Sequence, residues 1–250
     1  MMIAPRMRPV IAAVAGVVVF AWIVGQQDLW VRALSALFPG SVRPVYPAAT
    51  VAELTLQHLR LVGISSGLTL LVGIPLGIWV TRPSGADFRE IVSASVDFGQ
   101  TFPPVAVLAL MMPILGFGLW PAVVALFLYG MFPVVSNTVA GLEAVPGTLI
   151  DAARGMGMGR GRILLAVELP LAARVIMAGV RTSVVINIGT ATVAAAVGAG
   201  GLGDPIIGGI NVQNMAYVLQ GATAAALLAI VADGLLAGAE RLLTPRGLEV

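Results

Sequence analysis

The sequence predicts an all-α membrane protein with about six transmembrane helices. Three observations carry that prediction. Of the 250 residues, 58% are hydrophobic and only 10% charged, against about 25% charged in a soluble domain. Several apolar runs approach or exceed the roughly 18–20 residues that cross a bilayer as a helix. The 30 glycines and 16 prolines fall mostly inside those runs, where transmembrane helices tolerate them.

The first segment, 10–25, follows Arg6 and Arg8. A basic start and a short apolar core also suit a signal peptide. No convincing A-x-A site follows, and Trp22 and Trp30 read as interface anchors, so a retained helix is expected. The second segment, 59–80, encloses Pro75. The third, 96–115, contains Pro103, Pro104 and Pro113, and the fourth, 119–142, is kinked near Pro133. The fifth is 171–197 and the sixth 215–239. Small residues recur four apart at Gly63/Gly67, Gly73/Gly77 and Gly234/Gly238. Such spacing lets helix backbones approach, so it reads as packing rather than binding. No fixed-period repeat is evident. The expected organisation is one domain. Residues 1–56 form an N-terminal transmembrane helix and an external stretch, 57–240 a five-helix core, and 241–250 a cytoplasmic tail.

Arginine placement sets the orientation. With the N-terminus inside, inner stretches hold ten: Arg6, Arg8, Arg82, Arg89, Arg154, Arg160, Arg162, Arg174, Arg241 and Arg246. Outer stretches hold three, Arg32, Arg43 and Arg60, and Arg181 falls within segment five. This is a positive-inside bias. It makes 143–170 the largest cytoplasmic loop and puts both termini in the cytoplasm.

Composition also excludes functions. All 14 basic residues are Arg, so the chain lacks the Lys of a phosphate-cradling Walker A loop. A net charge of +2 is too small for a nucleic-acid partner, and the absence of Cys removes thiol and disulfide chemistry. The lone His58 cannot build a multi-His metal site. No carboxylate pair or nucleophile–base spacing points to an enzyme.

The inner loop carries the functional signal. It reads Asp151-Ala152-Ala153, three residues, Gly157, nine residues, then Val167, Glu168, Leu169 and Pro170. Pro146 and Gly147 break the preceding segment. Thr148 is placed to cap a new helix near 148–157, with Asp151 closing a capping box. Gly157 suits a helix end at positive φ. Gly159 and Gly161 are expected to keep the exit flexible, and Pro170 to open segment five. This spacing resembles the EAA loop of binding-protein-dependent ABC importer permeases, E-A-A-x3-G-x9-I-x-L-P, with Asp151 for Glu and Val167 for Ile. The runs "PAVVALFLYGMFPVVSNTVAGL", "DAARGMGM" and "AGVRTSVVINIGTATVAAAVGAGGLGDP" resemble permeases for glycine betaine, choline and related osmoprotectants. The resemblance extends over 57–83, 101–157 and 178–203, which together make up most of 57–210. "GAGGLGD" alone is shared with methionine permeases.

The resemblance implies a type I ABC importer permease of the bacterial inner membrane, with a methionine-permease-like core. It implies that the 148–157 helix is a coupling helix docking on ABC ATPase subunits, with Asp151, Ala152, Ala153, Gly157, Val167, Leu169 and Pro170 as the coupling residues. ATP and Mg would sit on that partner, and no cofactor on this chain. An extracytoplasmic solute-binding protein and a second permease subunit, identical or not, are the other partners. The substrate class is a quaternary-amine osmoprotectant, and the alternative an amino acid such as methionine. The aromatic cage for a quaternary ammonium would sit in the binding protein, because none is readable from the 15 aromatic residues here.

Other signals carry less. Gly198 to Gly203 matches G-x-G-x-x-G, but a transmembrane segment precedes it. Gly200, Gly201 and Gly203 therefore read as a flexible external turn near a gate. Asn187, Thr190 and Thr192 are pathway candidates, although Thr in membrane helices usually bonds its own backbone. Arg181 lies 11 residues past Pro170, about 16 Å along a helix, and needs a partner at that depth. A structural bond to a carboxylate is the favoured reading, because an Arg repels a cationic solute. Asp233 is expected to pair with an Arg. Asp97 begins segment three, and membrane-depth ionisable groups are functional candidates by default. His58 is expected at the outer interface. An ion-coupled secondary transporter should show internal repeats and paired broken helices, and no repeat is found.

Overall fold

The computed structural model describes residues 7–243, which are helical with no strand among them. In chain order the helices are α1 (Met7–Gly25), α2 (Gln27–Leu37), α3 (Val51–Val80), α4 (Arg89–Thr101), α5 (Pro104–Leu115), α6 (Leu119–Glu143), α7 (Gly147–Gly155), α8 (Arg160–Ile163), α9 (Leu169–Ala191), α10 (Gly203–Asn211) and α11 (Met215–Leu243). Four helical stretches are individually long and apolar enough to cross a membrane: Val51–Val80, Leu119–Glu143, Arg160–Ala191 and Met215–Leu242. Two bent pairs bring the number to six, α1 with α2 at 74° and Ala86–Thr101 with α5 at 96°. The third expected segment, 96–115, is thus two helices rather than one.

Local chemistry explains the boundaries. Thr50 caps α3 in a reciprocal box, in which Glu53 N–H donates to Thr50 Oγ1 (3.2 Å) and Thr50 N–H to Glu53 Oε2 (2.8 Å). The second span therefore starts at Val51, and the division expected at residue 57 falls inside a helix. The fifth span does not open at Pro170 either. Helix runs from Arg160 through a π-helical turn, Leu164–Glu168, into α9, and Leu169 N–H reaches back to Leu164 O. That i→i−5 shift absorbs the donor missing at Pro170. Gly159 and Gly161 consequently sit at the start of a helix and not in a flexible exit. In α6, Pro133 leaves Tyr129 O without its helical donor. Gln100 of α4 supplies one, Nε2 to O at 3.1 Å.

The centre is a three-helix sandwich of α3, α6 and α9, flanked by α11. Close crossings depend on missing side chains. A Cβ on Gly77 would lie 2.7 Å from Thr138 Cβ, and one on Gly179 2.4 Å from Pro133 O. Of the expected glycine pairs, Gly73/Gly77 makes such a crossing. Gly63, Gly67 and Gly234 have open space around them, and Gly238 faces Val10 at ordinary contact distance. The N-terminal helices share the main core through Phe20, Val24, Trp30 and Leu34. Trp30 is buried, with Nε1 donating to Ile23 O (3.0 Å), and so is not an interface anchor, whereas Trp22 is exposed. Arg6, Arg246 and the tail 244–250 lie outside the described residues.

Links between helix ends fall into two sets. At one end Gly118 N–H donates to Val197 O (2.8 Å) and Tyr46 N–H to Gln220 Oε1 (2.8 Å). At the other, Arg82 pairs with Glu168 and Arg89 with Glu143. This is the up-and-down order expected from the arginine pattern.

Candidate functional site

The loop between α6 and α9 builds the candidate site. Pro146, with φ −59° and ψ 127°, turns the chain into α7 and is its N-cap, without a side-chain cap bond. The expected Thr148–Asp151 capping box is absent, because Thr148 is already inside the first turn. Asp151 instead pairs with Arg154 at 3.2 Å, an exposed contact of small energetic worth. The helix ends as expected at Gly157. With φ +79°, its N–H donates to Arg154 O (2.9 Å), and Met158 N–H donates to Ala153 O (3.1 Å). This is a Schellman motif, which favours glycine at the left-handed position.

The two faces of α7 differ. Ala153 is buried. Ile150 packs with Leu164 and Leu169 on the cluster of Leu142, Val145, Ala172, Ile176 and Val180. The flanking face exposes Leu149, Ala152 and Met156, an i, i+3, i+7 stripe. Asp151, Arg154 and Gly157 are exposed beside it. An apolar stripe on an exposed two-turn helix, ringed by charge, is a knob for a complementary groove.

The second half of the motif lies beneath this knob. Val167 is in the π-helical turn, and Leu169 and Pro170 begin α9. Sequence reasoning assigned no role to Glu168. It is 6% exposed and accepts from Arg82 Nη1 at 2.7 Å, which ties the loop to the end of α3. The signal was present as a carboxylate between Val167 and Leu169 in an apolar run. A cleft of about 420 Å³ opens here, with Arg82, Arg154, Arg160 and Glu168 on its walls.

The far end holds the glycine turn. Gly198, Gly200 and Gly201 have φ of 75°, 78° and 91°. The turn is tightly packed rather than flexible. Gly201 N–H donates to Gln57 Oε1 (3.0 Å), and a Cβ on Gly201 would lie 3.0 Å from His58 Nδ1. A Cβ on Gly203 would lie 2.0 Å from Thr192 O. His58 is fully buried, with Nε2 donating to Ile188 O (3.0 Å), so its expected interfacial position is corrected. In the acidic turn that follows, burial pushes the Asp204 carboxyl up.

The pathway candidates separate. Asn187 is fully buried at the α3–α9 seam, with Nδ2 donating to Ser66 Oγ (3.1 Å). It packs helices and does not line a surface of this chain. Thr192 Oγ1 donates to Gly189 O (2.7 Å), the backbone bond expected for such a residue, and Thr190 is half-buried. Arg181 and Asp233 form a two-pronged ion pair between α9 and α11. That answers the need for a partner at this depth. Both side chains are 38% exposed and border a cleft of about 310 Å³.

Comparison with known proteins agrees with this geometry. The family described as binding-protein-dependent transport system inner membrane component matches residues 73–246. The osmoprotectant import permease protein OsmY of Salmonella typhimurium is 42% identical over 226 residues, 90% of this chain and 89% of that one. The choline transport system permease protein OpuBB of Bacillus subtilis is 44% identical over 196 residues, 78% and 89% of the two chains. An inward-facing structure of the MetNI methionine ABC transporter superposes with a TM-score of 0.68 at 24% identity, covering 76% of this chain and 94% of that one. The structural likeness carries the fold, and the family match covers the 143–170 loop and the spans on either side of it. The chain belongs to the inner membrane components of binding-protein-dependent transport systems.

Proposed function

We propose that this chain is one of two translocation subunits of an ATP-driven importer for glycine betaine, choline or a related quaternary-amine osmoprotectant. The observation that carries the importer mechanism is α7. Its Schellman end and outward apolar stripe Leu149–Ala152–Met156 suit docking on an ATPase. Its inner face is continuous with the base of α9, so movement of the docked helix reaches the membrane span. ATP and Mg belong to that partner, since the chain has no Lys for a Walker A loop. A solute-binding protein delivers substrate at the opposite end. The substrate class rests on relatives named for osmoprotectants, for choline and for glycine betaine/carnitine/choline. An amino acid such as methionine is the second reading. It rests on a likeness at 24% identity, which carries fold alone. Coupling requires the inward and outward states to differ in free energy of contact with the docked partner.

The test is reconstitution in liposomes with the cognate ATPase and binding protein. Choline or glycine betaine accumulates only when ATP is supplied on the α7 side, and a proton or sodium gradient does not substitute. Uphill uptake by this chain alone overturns the reading. Orientation is checked on the same Cys-free background: Arg160→Cys reacts with an impermeant thiol reagent from the cytoplasmic side only, and outside labelling of intact cells refutes it.

A further inference from the structure

The third span is broken at membrane depth. Gln100, at the end of α4, bonds Tyr129 O. Tyr129 lies ten residues from Leu119 and fourteen from Glu143 along α6, about 15 Å and 21 Å from its ends. Pro103 and Pro104 have no N–H, so the carbonyls of Gly99 and Gln100 lose their i+4 donors. Irregular backbone at such depth is tolerated only where it is buried in protein or lines a water-filled cavity. Here it is not buried within the chain. No residue of α4 is buried, and a Cβ on Gly99 would meet nothing within 4 Å.

This open face has a definite chemistry. Asp97 is exposed and has no hydrogen-bond or ion-pair partner among the described residues. Asp233, the other carboxylate at this depth, is neutralised by Arg181. A lone carboxylate facing lipid is costly. Beside it, Phe98 and Phe102 are 62% and 39% exposed, with ring centroids 5.0 Å apart and planes at 88°. Two perpendicular rings make a corner whose faces attract a cation. The last turn of α4 contains no basic residue, and its carbonyl end carries partial negative charge. Carboxylate, ring faces and freed carbonyls all favour positive charge. An aromatic corner additionally favours a bulky methylated ammonium over a small, strongly hydrated ion.

The geometry points to a transit site for the quaternary ammonium head of the solute at the α4–α5 break, formed by Asp97, Phe98, Phe102 and the carbonyls of Gly99 and Gln100. The assignment rests on the substrate class proposed above. It adds an aromatic station inside the membrane to the one expected in the binding protein.

Two measurements on the assembled, reconstituted importer test it. In the first, Asp97→Asn lowers choline uptake about tenfold, Phe98→Leu lowers it severalfold, and Asp97→Glu retains most of it. ATP hydrolysis stimulated by the loaded binding protein stays within about twofold. Equal uptake by wild type and Asp97→Asn overturns the site, as does a parallel fall in ATP hydrolysis. If wild type imports no quaternary amine, the substrate reading itself fails. In the second, Gly99→Cys reacts faster with a trimethylammonium methanethiosulfonate than with its neutral methyl analogue. Tetramethylammonium protects it, and adding Asp97→Asn removes the preference. An unreactive cysteine means lipid or the second subunit covers this face, and reaction without charge preference means a pore without a cation site. Either outcome overturns the assignment.

Discussion

Gly157→Asp abolishes ATP-driven uptake, by about 100-fold or more, while the chain reaches the membrane in wild-type amounts. The position closes α7 with φ +79°, and an added Cβ would meet nothing within 4 Å. The variant therefore meets no steric clash inside the chain. Asp is among the residues that visit the left-handed region, so the backbone cost is on the order of 1 kcal/mol. What changes is the exposed tip of the helix, next to the apolar stripe ending at Met156. A carboxylate there must be desolvated in a partner groove. Gly157→Asn is the control, since it tolerates the same conformation without the charge and retains much of the uptake. Comparing uptake with co-purification of the ATPase separates loss of docking from loss of folding. Wild-type uptake by Gly157→Asp, with the ATPase still bound, removes α7 from the coupling role.

Asp233→Asn destabilises the folded chain markedly. It leaves the Arg181 guanidinium at membrane depth without its counter-charge, and an uncompensated charge at a helix centre costs about 2.5–3.5 kcal/mol. The two-pronged geometry makes Lys a poor substitute for Arg181. Replacing both partners by apolar residues of similar volume restores stability, because the desolvation of two charges disappears together with their attraction. The measurement is thermal unfolding in lipid nanodiscs across the two single variants and the double variant. A non-additive recovery in the double variant is expected. If Asp233→Asn unfolds at the wild-type temperature, the pair has no structural weight.

The fourth span was legible almost to the residue, 119–142 against Leu119–Glu143. Gly118 and Pro146 punctuate it, and such local signals survive any packing. That Arg181 needs a partner and that Asp233 pairs with an Arg were each legible, because a charge at depth demands a counter-charge, but that they pair with one another came from the packing of α9 on α11. The break in the third span was not. Pro103 and Pro104 follow Gln100 and Thr101 within a segment that is apolar only on average, and hydropathy reports burial in lipid, not direction. The 96° turn goes with a bond from Gln100 to the carbonyl that Pro133 leaves free on another helix. The tight packing of the 198–203 turn was hidden for a similar reason. Gln57 and His58 grip glycines some 144 positions away in sequence, and a glycine-rich string reads as flexible until its neighbours are known. Glu168 was overlooked because it occupies an unspecified position of the motif.

The continuous helical stretch from Arg160 to Ala191 is 32 residues, about 47 Å long at the helical rise. It is held against α6 near its middle, where Gly141 meets Ala172 and Gly179 meets Pro133 and Asn137. It is also tied along its length, Glu168 to Arg82 and Asn187 to Ser66 on α3, Ile188 to His58 on the same helix, and Arg181 to Asp233 on α11. A displacement of its loop end is therefore shared with three neighbouring helices rather than carried by one span alone.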